Sequence, residues 1–475
     1  MQDELKALHF QSALQIARQI ADGRITSREV TQCFLDRIDR ANALNAFTVV
    51  LDEQALAQAD AADRALRSGQ AASPLHGVPI VIKDSIEIAG TAVAAGSLSR
   101  MAVVSTGTSA VARRLQAAGM VILGKTHMTE FAFGLSGQNP TCGTPWNPWD
   151  AFRHRAPGGS SSGAGVAVAA GLAPIALGGD TGGSVRAPAT LNHLVGFKPS
   201  TGIISRADVV PLAPSLDVLG PICRTVADAH ALTTVLAGPD DADPVTLETP
   251  ADVFARLKGR LASPEREIFV LDTEAFPASL ASSAMRAWKG ALARLREAGW
   301  ALTPWTPCAA LDIGKLSDDN SLIIGYEGYS LHGQLAQDPL QPIWEVVRHR
   351  ILAGAKIPRE AYDRAIERRT EAAAAFTRAM GATGTLLMPA TSHGALPLDP
   401  ADAGHAGIGK FCRAGNFLGT PAIALPADFD DAGMPVGVQL LAPPMADKAL
   451  LDQAGAIAPV LLVTDRNPDL KRWAL

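Results

Sequence analysis

Aromatic residues are scarce in this chain of 475 residues, at 5 %, so most of the core must come from Ala, Leu, Val and Gly. A basic excess is also lacking. The formal net charge is -5 and the isoelectric point about 6.1, which excludes the basic footprint usual for a nucleic-acid binder. Arginine-rich stretches such as AIERRT at 365–370 sit among acids and alanines and read as a solvated helix face. No uncharged apolar run reaches the roughly 18 residues that a membrane span needs. The longest candidate, at 164–179, is broken by glycines and Pro174. The opening MQDELKALHF has early acids and no apolar stretch of the kind a secretory signal carries. The five cysteines, at 33, 142, 223, 308 and 412, show no metal-ligand spacing and are odd in number, which predicts reduced thiols and a cytoplasmic location. There is no fixed-period repeat and no low-complexity tract.

What remains is an ordinary globular balance, 47 % hydrophobic and 19 % charged. Apolar spacing predicts helices through residues 11–69, with Thr26 and Ser27 at the start of the second. Short apolar, β-branched runs predict buried strands at 78–82 and 120–123. Residues 134–163, rich in Gly, Pro, Ser and Asn, read as loop, and 164–170 as a short helix of small residues. The acidic GPDDADPVTLETP at 238–250 reads as a surface connection. Beyond it strands at 267–271, 301–305 and 385–388 alternate with helices at 282–297, 359–379 and 446–456. Such alternation indicates the α/β class, a sheet covered by helices.

The chemistry concentrates in APGGSSSGAGVAVAAGLAPIALGGDTGGSVRAP at 156–188, two Gly/Ser loops flanking the small-residue helix. Glycine permits close backbone approach, so the amides of 178–184 can converge on a developing oxyanion beside the Ser184 hydroxyl, with a plain tight turn the competing reading. A serine nucleophile needs a base. Lys83 is the candidate: it follows five apolar residues, and a start inside the core would disfavour its charge and free the amine to take a proton at neutral pH, while a strand-end lysine reaching solvent is the competing reading.

PGGSSSG followed by GGDTGGSVRAPA resembles the signature of the amidase signature family, and HGVPIVIKDSI at 76–86 resembles that family's lysine strand. LNAF at 44–47, GKTHMTEF at 124–131, TPWNPWD at 144–150, VGFKP at 195–199, SLDVLGP at 215–221, NFLGTPAIALP at 416–426 and PVGVQL at 435–440 extend the resemblance along nearly the whole chain. It is weakest from about 240 to 385. It implies one amidase domain over 1–475, with N-terminal helices at 1–75, the signature core at 76–230, a substrate-shaping region at 240–385 and the rest of the core at 386–475. The implied fold is a single large mixed sheet with helices on both faces.

The resemblance further implies a triad of Ser184 as nucleophile, Ser160 as bridging serine and Lys83 as base, with a cis Gly159–Ser160 peptide. The oxyanion donors would be the N–H groups of Thr181, Gly182, Gly183 and Ser184. Ser161 and Ser162 are look-alikes. Asp180 and Arg186 flank the loop, as orienting groups or as a structural ion pair. Met128, Phe131, Phe133, Leu135 and Trp146 are candidate pocket lining, with core packing the competing role for each. The implied reaction is hydrolysis of an amide-type C–N bond through an acyl-enzyme, without metal or cofactor, in a monomer or homodimer acting on a small-molecule carboxamide, anilide or carbamate (urethane). A second reading is the glutaminase subunit of a tRNA-dependent amidotransferase, from which TGIISRAD at 201–208 departs. A third is a nucleotide-binding module, since Gly119 and Gly124–Thr126 fit GxxxxGKT. Its four middle residues are apolar, unlike a phosphate-wrapping loop. GxSxG at 159–163 lacks the hydrophobic strand that should precede a nucleophile elbow.

Overall fold

The structure is a computed structural model that describes residues 8–398, 407–462 and 466–475. Capping boxes start the first two helices, Ala13–Ala21 and Ser27–Arg40, where Ser12 and Thr26 accept from the backbone of Gln15 and Glu29. Eleven strands follow in chain order: β1 Phe47–Val50, β2 Pro79–Lys83, β3 Val121–Thr126, β4 Ile175–Asp180, β5 Val195–Lys198, β6 Val218–Cys223, β7 Glu267–Leu271, β8 Ala301–Trp305, β9 Leu386–Pro389, β10 Ala422–Phe429 and β11 Pro435–Leu441. They form one sheet in the order β1-β3-β2-β4-β6-β5-β10-β11-β9-β7-β8. Pairing is parallel for β2 with β3 and β4, and for β7 with β8 and β9. It is antiparallel elsewhere, so the sheet is mixed. Helices cover both faces, as the α/β reading and the resemblance implied.

β2 and β4 lie side by side, Val81 and Ile82 opposite Ala176 and Leu177, and β4 runs on past the end of β2 to Asp180. Lys83 closes β2, and Asp180 closes β4 just ahead of the second Gly/Ser turn. The carboxyl ends of parallel strands are where a crevice opens in such sheets. Ser162–Ala169, a helix of small residues buried throughout, packs against β2 and β4 and joins the two loops.

Three expectations change. The helical reading of 11–69 is interrupted by β1, whose Phe47, Val49 and Val50 pair with β3 at the sheet edge. The expected loop at 178–184 is strand as far as Asp180, because Gly178, Gly179 and Asp180 pair with Gly220, Leu219 and Val218 of β6. The stretch between 306 and 358 also holds a helix of 25 residues, Ile313–Gln337, which the apolar spacing did not announce.

The GxxxxGKT match is a strand. All six residues of β3 are buried, and Lys125 gives its amine to the Ala92 carbonyl and, at 3.3 Å, to Asp84. No phosphate-wrapping loop forms there. Gly124 is required for contact with β1, since a Cβ on it would stand 2.2 Å from the Val49 carbonyl oxygen. Gly124→Ala is therefore expected to destabilise the protein by about 1–3 kcal/mol, the usual range for overpacking. An unchanged urea midpoint would contradict this.

Candidate functional site

Lys83, Ser160 and Ser184 come together from three segments. β2 delivers Lys83 with only 2 % of its surface exposed, and both serines are buried. The Lys83 amine donates to Ser160 Oγ at 2.6 Å and to the Gly179 carbonyl at 3.4 Å. Gly159–Ser160 is cis, as the resemblance implied. The two Gly/Ser loops are tied by the Ser161 N–H, which donates to the Ser184 carbonyl at 3.3 Å. The look-alike Ser161 locks its loop to β4, its hydroxyl donating to the Gly179 carbonyl and accepting from the Gly179 N–H, each at 3.2 Å. Ser162 donates to the His127 carbonyl. Among the described residues no hydrogen bond joins the Ser160 and Ser184 hydroxyls, so the structure holds one of the two links of the implied relay.

Burial drives the Lys83 pKa down to about 8, partly opposed by the charges of Asp217 and Asp180. The expectation of an amine already neutral at physiological pH is thereby tempered. A neutral fraction exists at pH 7, but the charged form still dominates.

Asp180 and Arg186 form a buried ion pair that builds the turn carrying Ser184. One carboxylate oxygen accepts from the Gly183 N–H at 2.7 Å and from Arg186 Nη2 at 3.1 Å. The other accepts from the Val185 N–H and from Arg186 Nε, each at 3.1 Å. Burial pushes the Asp180 pKa up, but the guanidinium outweighs it and holds the carboxyl well below its usual range. Arg186 also donates to the Cys412 carbonyl, to Gln439 Oε1 and to Asn416 Oδ1. The Gly183 N–H, expected among the oxyanion donors, is thus already engaged. The N–H groups of Thr181, Gly182 and Ser184 have no partner among the described residues. Thr181 is fixed through its hydroxyl, which donates to Asp217 at 2.5 Å.

Ser184 opens onto a cavity of about 630 Å³ whose apolar wall includes Phe133, Leu135, Leu212, Ile324 and Ile357. Two of the five expected lining residues, Phe133 and Leu135, are there. Met128 and Phe131 belong instead to an apolar cluster, Phe131 lying against His332 at 4.7 Å between ring centres. Trp146 stacks on His154 and donates to the Asp150 carbonyl. Their aromatic or apolar character is explained by packing. Sequence reasoning missed Arg350, Lys410 and Arg413, which also line the cavity and belong to no motif singled out in the sequence. A larger cavity, about 1070 Å³, lies away from both serines between Arg18, Arg114, His230 and Arg260 and is lined by neither Lys83, Ser160 nor Ser184. Among the described residues no group of His, Cys, Asp and Glu could hold a metal ion.

An amidase family model matches residues 29–451. The A subunit of glutamyl-tRNA(Gln) amidotransferase from Deinococcus radiodurans is 36 % identical over 95 % of this chain and 97 % of its own length. The same subunit from Ralstonia nicotianae is 36 % identical over 90 % and 92 %. The native peptide amidase of Stenotrophomonas maltophilia superposes with a TM-score of 0.81 at 29 % identity, covering 96 % of this chain and 98 % of that one. An inhibitor-bound complex described as revealing the origins of an s-triazine catabolic enzyme superposes at 0.84 and 30 %, covering 94 % and 98 %.

Arg186→Met, which strands Asp180 as an unpaired buried charge, is expected to cost about 3–5 kcal/mol. Stability within 1 kcal/mol of the parent (about one pKa unit's worth), measured by denaturant unfolding, would show that the pair does not hold the turn.

Proposed function

The chain belongs to the amidase family, the amidase signature enzymes, and from that premise we propose that it hydrolyses amide-type C–N bonds through an acyl-enzyme on Ser184. The observation that carries this reading is the buried Lys83 amine bonded to Ser160 at 2.6 Å. The deprotonated amine takes the Ser160 proton, Ser160 takes that of Ser184, and Ser184 Oγ attacks the acyl carbon. The missing link between the two hydroxyls forms as substrate settles, since catalytic hydrogen bonds often tighten only in the substrate complex. The unengaged N–H groups of Thr181, Gly182 and Ser184 receive the oxyanion. The proton returns through Ser160 to the leaving nitrogen, which departs poorly unless protonated. Water then releases the acyl group by the same relay.

For the substrate, the curated relatives favour the glutaminase-subunit reading over the stand-alone amidase, since those compared are amidotransferase A subunits over nearly their full length. On that reading the substrate is glutamine and the chain works in a complex. The solved peptide amidase and 6-aminohexanoate cyclic dimer hydrolase support the stand-alone reading, to which anilides and urethanes also belong. Five cysteines without a disulfide among the described residues fit a cytoplasmic setting for either. Assaying the chain purified alone on glutamine, an anilide and a carbamate separates the two. Preferential ammonia release from glutamine is expected of the subunit. Fast anilide or carbamate turnover with inert glutamine would return the assignment to a stand-alone hydrolase.

Ser184→Ala is expected to lower turnover by at least about a thousandfold with the melting temperature preserved. Retained turnover would remove Ser184 as nucleophile. Because the base must be deprotonated, kcat/KM should rise with pH through about 8 and level off above it. A profile flat from pH 6 to 9, spanning about one unit or more on either side of that value, would exclude Lys83, as would full activity in Lys83→Ala.

A further inference from the structure

We propose that the cavity in front of Ser184 binds an amide whose acyl part ends in a carboxylate, and that Arg413 is the residue that recognises this group. The proposal rests on the Ser184 reading and adds the chemical class of substrate.

The charged side chains among the described residues of the cavity wall are Arg350, Lys410 and Arg413, all cations. Lys410 lies toward solvent and is paired with Asp318 at 2.7 Å. Arg350 donates to the Phe133 carbonyl at 2.6 Å. Arg413 has no side-chain hydrogen bond or ion pair with any described residue. Its side chain runs along the cavity from the turn that carries the nucleophile. A Cβ on Gly182 would stand 3.3 Å from Arg413 Cγ, and a Cβ on Gly409 would stand 3.0 Å from its Cζ. Glycine at both ends gives the arginine its berth. Gly182 is also two residues before Ser184, so stem and nucleophile share one wall.

A guanidinium mostly withdrawn from water, with the Arg350 charge acting against it, Asp318, already paired with Lys410, acting for it, and no carboxylate bonded to it among the described residues, is a site that an anion completes. Its planar fork matches a carboxylate with two parallel N–H···O bonds. Leu135 stands between the nucleophile turn and this cation, since a Cβ on Gly183 would lie 3.8 Å from its Cδ1 and one on Gly409 2.4 Å from it, and Ile324 and Ile357 add to the apolar wall. A carbonyl at one end, a hydrocarbon middle and an anion at the other end complement that sequence of surfaces. Half-amides of straight-chain dicarboxylic acids have this form, and glutamine carries the same amide and carboxylate.

The test compares binding and turnover of such half-amides, from succinate to suberate, with the matching neutral diamides. In calorimetric titration of Ser184→Ala, the best half-amide is expected to bind at least about tenfold more tightly than its diamide. Adding Arg413→Met, or Arg413→Gln where the Met variant does not fold, should remove most of that difference. Equal affinity for the two, or a preference that survives loss of Arg413, overturns the proposal. If the wild-type protein releases ammonia from neither compound while the binding preference stands, the Ser184 reading fails and the carboxylate site does not.

Discussion

A lysine amine held out of water against a serine hydroxyl is the constraint around which the rest is arranged. Burial alone disfavours the ammonium form, and any carboxylate in direct contact would restore it. Two carboxylates lie near enough to act on Lys83, and both are committed elsewhere. Asp180 is consumed by Arg186 and by the amides of its own turn. Asp217 accepts from Thr181 and from the N–H groups of Leu212 and Ala213. Lys125, on the neighbouring strand, is the contrasting case. Burial lowers its pKa as well, but Asp84, 3.3 Å from its amine, opposes that shift by direct contact. Adjacent strands thus carry one lysine matched to a carboxylate and one matched to a hydroxyl.

The same diversion of charge builds the turn that presents Ser184. Asp180 and Arg186 are both fully enclosed, and the arginine spends its remaining donors on Cys412, Asn416 and Gln439. Asn416 returns a bond to the Asp180 carbonyl at 2.9 Å. Residues more than 220 positions apart in sequence therefore fix one loop. This explains why the stretches at 416–426 and 435–440 accompany the two Gly/Ser loops. The first contributes Asn416, and the second contributes Gln439, which also braces the Pro389 and Phe411 carbonyls.

Legibility followed the physics of each segment. β2 was plain because five buried residues stand between Gly77 and the strand end, and the helix Ser282–Glu297 because its apolar residues keep helical spacing. Lys83 and Ser184 could be reasoned from burial and glycine content, whereas Ser160 came only from the resemblance. The last residues of β4 were hidden because two glycines in a row read as a turn until a partner strand is known. The helix Ile313–Gln337 was hidden because it buries Ser317, Asp319, Asn320, Glu327 and His332 along with its apolar residues, which erases the stripe. Arg413 was invisible for a related reason. A cation is ordinarily assigned to the surface, and nothing local reveals that Gly182 and Gly409, far apart in the chain, make room for it inside. Met128, Phe131 and Trp146 take the competing role of packing, because an apolar or aromatic side chain in a motif does not by itself tell core from cavity.

The account turns on whether the interior deprives Lys83 of its proton near neutrality. A heteronuclear NMR titration of protein labelled at the lysine side chains, with Lys83 identified by its loss in a Lys83→Arg sample, reads that directly. The Lys83 amine should titrate near pH 8, well below the 10.5 of an ordinary lysine. A midpoint at the ordinary value would mean that Ser160 faces a permanent cation and that the proposed base does not exist.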